Sequence, residues 1–121
     1  MKNIIRLGAV FLLAIGIQSC YYDNPPELSF ECEDVSFNTH VQPMLNASCA
    51  TSSCHDGTYA PDLTEGNAWN ALRGGYINLI NAEESVLIHE LATGSMPPGQ
   101  RFSQDNIDII QCWIESGGLN N

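Results

Sequence analysis

A chain of 121 residues with 4 basic and 14 acidic side chains, formal charge −10, has length for one domain. So acidic a surface repels a phosphate backbone, which excludes nucleic-acid binding as the function. Five cysteines in that length make the placing of thiols the first question.

Residues 1–19 begin with Lys2 and Arg6 and continue in an apolar run, Leu7–Ile17, too short to cross a bilayer. A basic start, a short apolar stretch and a small residue before a break read as a secretory leader. The leader closes on Ile17-Gln18-Ser19-Cys20 and resembles a bacterial lipoprotein signal, which implies a lipidated Cys20 as the mature N-terminus. Ordinary secretion with a free Cys20 is the plainer alternative. Loss of Lys2 and Arg6 leaves Arg73 and Arg101 against fourteen acids, a formal charge of about −12. A partner protein would then need a basic or mixed docking face. Residues 20–31 contain Pro25-Pro26 and no helical or strand period, so they read as a flexible tether. Extended, it reaches ~30 Å from a membrane surface.

The remaining span, 32–121, is expected to fold, and its patterns are helical. Ser36 suits an N-cap, and Phe37, Val41 and Leu45 recur every four residues on one face. Pro43 must disturb this helix, and a kink is expected near Gln42. Residues 48–59 are small, polar and glycine-containing, a loop, and Pro61 keeps 60–63 extended. A short helix over 67–73 ends at Gly74-Gly75. Asn81 is expected to cap a helix with Glu83 and Glu84 in its first turn, Leu87, Ile88 and Leu91 as its buried stripe, and Gly94 as its stop. Ser103 and Asp105 open a last helix that buries Ile107, Ile110, Trp113 and Ile114 and stops at Gly117-Gly118. No stretch alternates with period two, so the fold class is all-α with about four short helices. A body this small has little apolar core of its own and calls for a staple or an apolar cofactor.

The chemistry concentrates in Cys49-Ala-Thr-Ser-Ser-Cys54-His55. Two thiols placed for the two vinyl groups of haem, with a histidine directly after the second to reach the iron, make a c-type attachment site. Its common form is C-x-x-C-H. Here four residues intervene, all small, and they have room to bulge outward without parting the sulfurs. Three other readings stay open. Cys49 and Cys54 form a disulfide across the loop; or they bind zinc with His55, although no fourth ligand stands at a finger-like spacing; or they act as a redox dithiol, although the βαβ setting of such a site is missing. Downstream, Gly94-Ser95-Met96-Pro97-Pro98-Gly99 sets a methionine in a proline-stiffened loop able to hold a thioether over a metal. Core filling is the plainer role for a methionine and is the reading for Met44.

The Phe37-x3-Val41-x-Pro43-x-Leu45-x3-Cys49 lead-in, the Cys49–His55 site, the Met96-Pro97-Pro98-Gly99 loop and the Trp113-Ile114-Glu115-x-Gly117 ending resemble the monohaem cytochrome c domains of exported bacterial lipoproteins. The resemblance implies a small cytochrome c-like fold around one haem c, bound through Cys49 and Cys54. It implies His55 as proximal and Met96 as distal iron ligand. An imidazole–thioether pair raises the reduction potential, and iron with both positions filled by protein leaves no seat for substrate. The expected function is therefore single-electron transfer between redox partner proteins, without enzymatic activity. The expected location is outside the cytoplasm, lipid-anchored at the periplasmic face or outer membrane of a Gram-negative bacterium. Two further classes stay open: a haem-based sensor or accessory module with a labile Met96, and a haem-free, disulfide-bonded interaction lipoprotein.

The remaining cysteines, Cys32 and Cys112, are expected to pair in an oxidising compartment, with Cys112 as a small buried hydrophobe the alternative. Arg101 is either solvated or a partner for a haem propionate. His40 and His89 read as surface or half-buried helix residues, each a possible substitute for Met96 on the iron. Trp69 and Trp113 read as packing, at a haem pocket or a helix crossing.

Overall fold

The computed structural model describes residues 32–121; the expected leader, Cys20 and tether lie outside the described residues. Among the described residues there are four α-helices and no strand, an all-α arrangement. No described helix is long and apolar enough to cross a membrane.

Ser36 is extended, and its Oγ accepts the Thr39 N–H at 3.4 Å. Phe37–Val41 then form a π-helical turn in which the Gln42 N–H donates to the Phe37 carbonyl, and α1 (Gln42–Ser48) follows. Pro43 explains the sequence of turns. It has no N–H, and its ring crowds the carbonyl four residues earlier, so a continuous α-helix through Thr39 is blocked. The wider π turn relieves the crowding, and Pro43 falls in the first turn of α1, where a missing N–H costs nothing. The expected kink near Gln42 is therefore a change of helix type instead.

α2 (Ala68–Arg73) stops at Gly74, whose N–H returns to the Asn70 and Ala71 carbonyls. The expected helix from Asn81 is corrected. Ala82–Glu84 form a separate 3₁₀ turn, Ser85 is extended, and α3 covers only Val86–Thr93. Asn81 makes no side-chain cap. The break follows from Ser85, which is buried and whose Oγ accepts the Asn78 N–H at 2.9 Å instead of serving its own helix. Gly94 ends α3 in the left-handed region at φ 72°.

α4 (Gln104–Glu115) begins at Ser103, whose Oγ accepts the Asn106 N–H at 3.3 Å. Ser103→Ala is expected to cost about 1 kcal/mol, read as a lower urea midpoint at unchanged slope. Val41 and Leu45 of the first helical segments, Leu72 of α2, and Ile110, Trp113 and Ile114 of α4 are fully buried and make the centre of the core. The Phe37 and Trp113 rings meet at 5.0 Å, tilted by 38°, where the π turn crosses α4.

Both ends of the described chain are fastened to this core. Cys32 and Cys112 are disulfide-bonded, with Cα atoms 4.8 Å apart. Asn121 accepts from Ser36 Oγ at 2.7 Å, from Asn38 N–H at 2.9 Å and, through Oδ1, from Phe37 N–H at 2.9 Å. These three donors lie at the start of the π turn, where helical N–H groups lack internal partners.

Candidate functional site

The loop after α1 begins where that helix runs out. The N–H groups of Cys49 and Ala50 both return to the Leu45 carbonyl at 2.8 Å. Residues 51–54 then make their own turn, Cys54 N–H to Thr51 O at 3.0 Å, with Ser53 at φ 65°. The chain comes straight back, since His55 N–H donates to the Cys49 carbonyl at 3.0 Å. The four residues between the cysteines are therefore taken up in a small outward turn, and His55 stays beside Cys49. Asp56 fastens the turn by accepting the Thr58 and Ser53 N–H groups. Hydrogen bonds from Thr58 hold its carboxyl below the ordinary range.

His55 is oriented by the next segment. Its Nδ1 lies 3.0 Å from the Pro61 carbonyl and 3.3 Å from the Tyr59 carbonyl. A carbonyl oxygen only accepts, so Nδ1 carries the hydrogen and the Nε2 lone pair is left for a metal. That segment is itself anchored twice: the Leu63 N–H donates to the His55 carbonyl at 2.8 Å, and Gln42 Nε2 of α1 donates to the Leu63 carbonyl at 3.2 Å. Asp62 continues the fastening into α2, accepting from Thr64 N–H and Oγ1 and from Asn67 Nδ2. The Thr64 bonds, hydroxyl first, hold its carboxyl low.

Met96 comes from the opposite side. Its N–H donates to the Glu90 carbonyl of α3 at 3.3 Å, and the turn beyond it closes with Gln100 N–H on Pro97 O at 3.2 Å. The Met96 loop and the cysteine loop face each other across two adjoining cavities of about 260 and 300 Å³. Cys49, His55 and Met96 line both. Cys54, Tyr59, Pro97 and Pro98 join the first, and Leu63, Leu72, Tyr76, Leu87 and Leu91 the second.

The thiols are both free. Cys49 is buried and Cys54 exposed. Burial, and secondarily the neighbouring Cys54, push the Cys49 thiol up to about 11. The attacking thiol of a redox dithiol is held low to stay a thiolate at neutral pH, so buried Cys49 does not suit that role. Among the described residues the one convergence of three His, Cys, Asp or Glu ligand atoms is Cys32, Cys112 and Glu115, two of them consumed by the disulfide. Zinc is therefore offered no ligand set at Cys49–His55. A covalently held haem fits better on three counts: two unpaired thiols five residues apart, an imidazole whose Nε2 is left for iron, and a largely apolar cleft with a thioether on its far wall.

Other residues singled out in the sequence fall elsewhere. His40 Nδ1 accepts the Ser36 N–H at 3.0 Å, a capping role, and His89 is exposed on α3; neither lines the cavities. Trp69 and Trp113 donate to the Gly118 and Leu119 carbonyls at 2.8 Å, so both pack at the end of α4. Arg101 lies against Gly94, where a Cβ would stand 3.5 Å from its Cγ. Sequence reading missed Tyr76, Leu72 and Glu90 as cavity residues and the Pro61 carbonyl as the partner of His55. Pro61, six residues after His55, is the one of these that left a signal, because it keeps its segment extended.

No protein-family model, curated protein or solved structure matches the chain.

Proposed function

We propose that the chain is a monohaem c-type cytochrome that carries single electrons, with Cys49 and Cys54 as thioether anchors, His55 as proximal ligand and Met96 as distal ligand. The observation that carries this reading is the convergence of Cys49, His55 and Met96 on both cavities, from segments 41 or more residues apart in chain order for Met96 and His55. Bound haem supplies a one-electron Fe(II)/Fe(III) couple. The chain supplies the rest. The Pro61 carbonyl fixes the imidazole, the Glu90 carbonyl fixes the Met96 backbone, and Leu63, Leu72, Leu87 and Leu91 keep the pocket low in dielectric. With an imidazole and a thioether both supplied by the chain, a bound haem iron would have no open position for a substrate, which favours outer-sphere transfer over catalysis.

The sequence of residues 1–20 supports export and lipid anchoring, and the Cys32–Cys112 disulfide suits an oxidising compartment. Redox partner proteins with a basic or mixed face complement the acidic surface.

A labile-Met96 sensor is the second reading, favoured by the 43% exposure of Met96. Carbon monoxide separates the two. Reduced carrier is expected to resist it over minutes; binding within mixing time identifies the sensor instead. The haem-free interaction module loses its second disulfide, since Cys49 and Cys54 are unbonded.

A further inference from the structure

Three exposed apolar side chains, two adjacent in one loop and one just beyond α4, line neither cavity. Ile80 is 99% exposed, Leu79 45% and Leu119 56%. A Cβ at Gly118 would stand 3.1 Å from Leu79 Cδ2, and one at Gly117 would stand 3.9 Å from Leu119 Cδ2, so both leucines border the turn that follows α4. The loop that presents Ile80 is fastened. Asn78 Oδ1 accepts the N–H groups of Ile80 at 2.9 Å and Asn81 at 3.1 Å, and the Asn78 N–H is held by buried Ser85. A fully exposed isoleucine on a braced loop has an unfavourable hydration cost that nothing within the domain relieves.

The described chain begins at this same end. Ser116 Oγ donates to the Cys32 carbonyl at 2.9 Å, one residue before Gly117. The chain therefore enters the described domain, at Cys32, close to Gly117. Arg73 is here too, its guanidinium donating to the Gly117 carbonyl at 3.1 Å. The Met96 loop belongs to the opposite end of α4, where Gly94 meets Arg101 just before the Ser103 cap. Twelve helical residues set those ends about 18 Å apart.

We infer that Leu79, Ile80 and Leu119 rest on the lipid surface to which Cys20 fastens the chain, which holds the Met96 loop on the side away from the membrane. This rests on the lipid-anchor part of the function proposed above. Three side chains are too few for a second protein copy, because a stable interface buries about 1,200–2,000 Å² in total. They suffice for a domain that a lipid already confines to the surface, where contact is intramolecular. Exposed Glu83 and Glu84 flank the patch and oppose anionic headgroups, so the surface it fits is zwitterionic, with Arg73 placed for the lipid phosphate.

The test uses the full lipidated, haem-loaded chain in phosphatidylcholine vesicles carrying a photoactivatable acyl chain. Peptides holding Leu79–Ile80 and Leu119 are expected to take at least fivefold more label than the Met96–Arg101 peptide. Ile80→Asp, at a fully solvated position that leaves the core untouched, is expected to remove most of that excess. Uniform labelling, or labelling of the Met96 loop, on a chain whose intact mass shows the lipid would overturn the orientation alone. Chain-to-chain crosslinks at Ile80 would assign the patch to a second copy and overturn it as well. An intact mass without lipid on Cys20 would remove the anchor reading and the inference with it.

Discussion

Replacing Cys32 and Cys112 together by serine is expected to remove about 4–5 kcal/mol of unfolding free energy. The two cysteines are 80 residues apart in sequence, so their bond closes nearly the whole described domain into one loop. Cutting it frees the denatured chain across that length, and loop-closure entropy sets the size of the loss. The effect is large against the total, since domains of this size hold only ~5–10 kcal/mol. Urea denaturation of the haem-loaded protein reads it directly. With a slope of ~1 kcal/mol/M the midpoint should fall by about 4–5 M. The Asn121 bonds to Ser36, Phe37 and Asn38 remain in the variant and keep the N-terminal turn near α4. A loss under 1 kcal/mol would mean that these bonds, and not the disulfide, close the domain.

Met96→Ala is expected to leave the fold intact and change the chemistry. The side chain is partly exposed and no part of the buried core, so its removal leaves Val41, Leu45, Leu72, Ile110, Trp113 and Ile114 packed as they are. The Met96 N–H bond to Glu90 survives, because alanine keeps the backbone donor. Loss of the thioether should lower the reduction potential by on the order of 0.2 V, within the ~0.8 V span that axial ligands command. It should also abolish the red charge-transfer band of a methionine–Fe(III) bond and admit carbon monoxide to the reduced form. Urea midpoints within about 0.5 M of the parent would show that the change is at the iron. An unaltered potential would place the distal ligand elsewhere.

Much of the helix pattern was legible because its stop and start signals act locally. Gly94 is left-handed at the end of α3, Ser103 caps α4, and Gly74 ends α2. Pro43 announced a disturbance, but sequence does not distinguish a kink from a π turn. Either relieves the crowding of the Thr39 carbonyl, and the π turn is the form found, with Phe37 against Trp113, 76 residues on. Ser85 was illegible as well. A serine between Glu84 and Val86 has ordinary helix propensity, and only burial, with the Asn78 N–H aimed at its hydroxyl, pulls it out of the helix. At the site, adjacency in sequence singled out Cys49, Cys54 and His55, proline stiffening singled out Met96, and all four line the first cavity. Leu72, Glu90 and Tyr76 carried no such mark, because cavity lining depends on which helix face, or which turn residue, faces inward. The widened spacing of the cysteines also gains a physical form. Its extra length is absorbed by the Thr51–Cys54 turn, and the His55 N–H bond to Cys49 keeps histidine and cysteine together.

The most direct measurement is the fate of haem on acid–acetone extraction of the chain, made in a host with haem-attachment machinery. One haem per chain that resists extraction is expected, with a c-type haemochrome spectrum and an intact mass raised by a single haem. Substituting both Cys49 and Cys54 by serine should make all of it extractable. Colourless protein, or haem that extracts from the unaltered chain, would contradict Cys49, Cys54 and His55 as a covalent haem site.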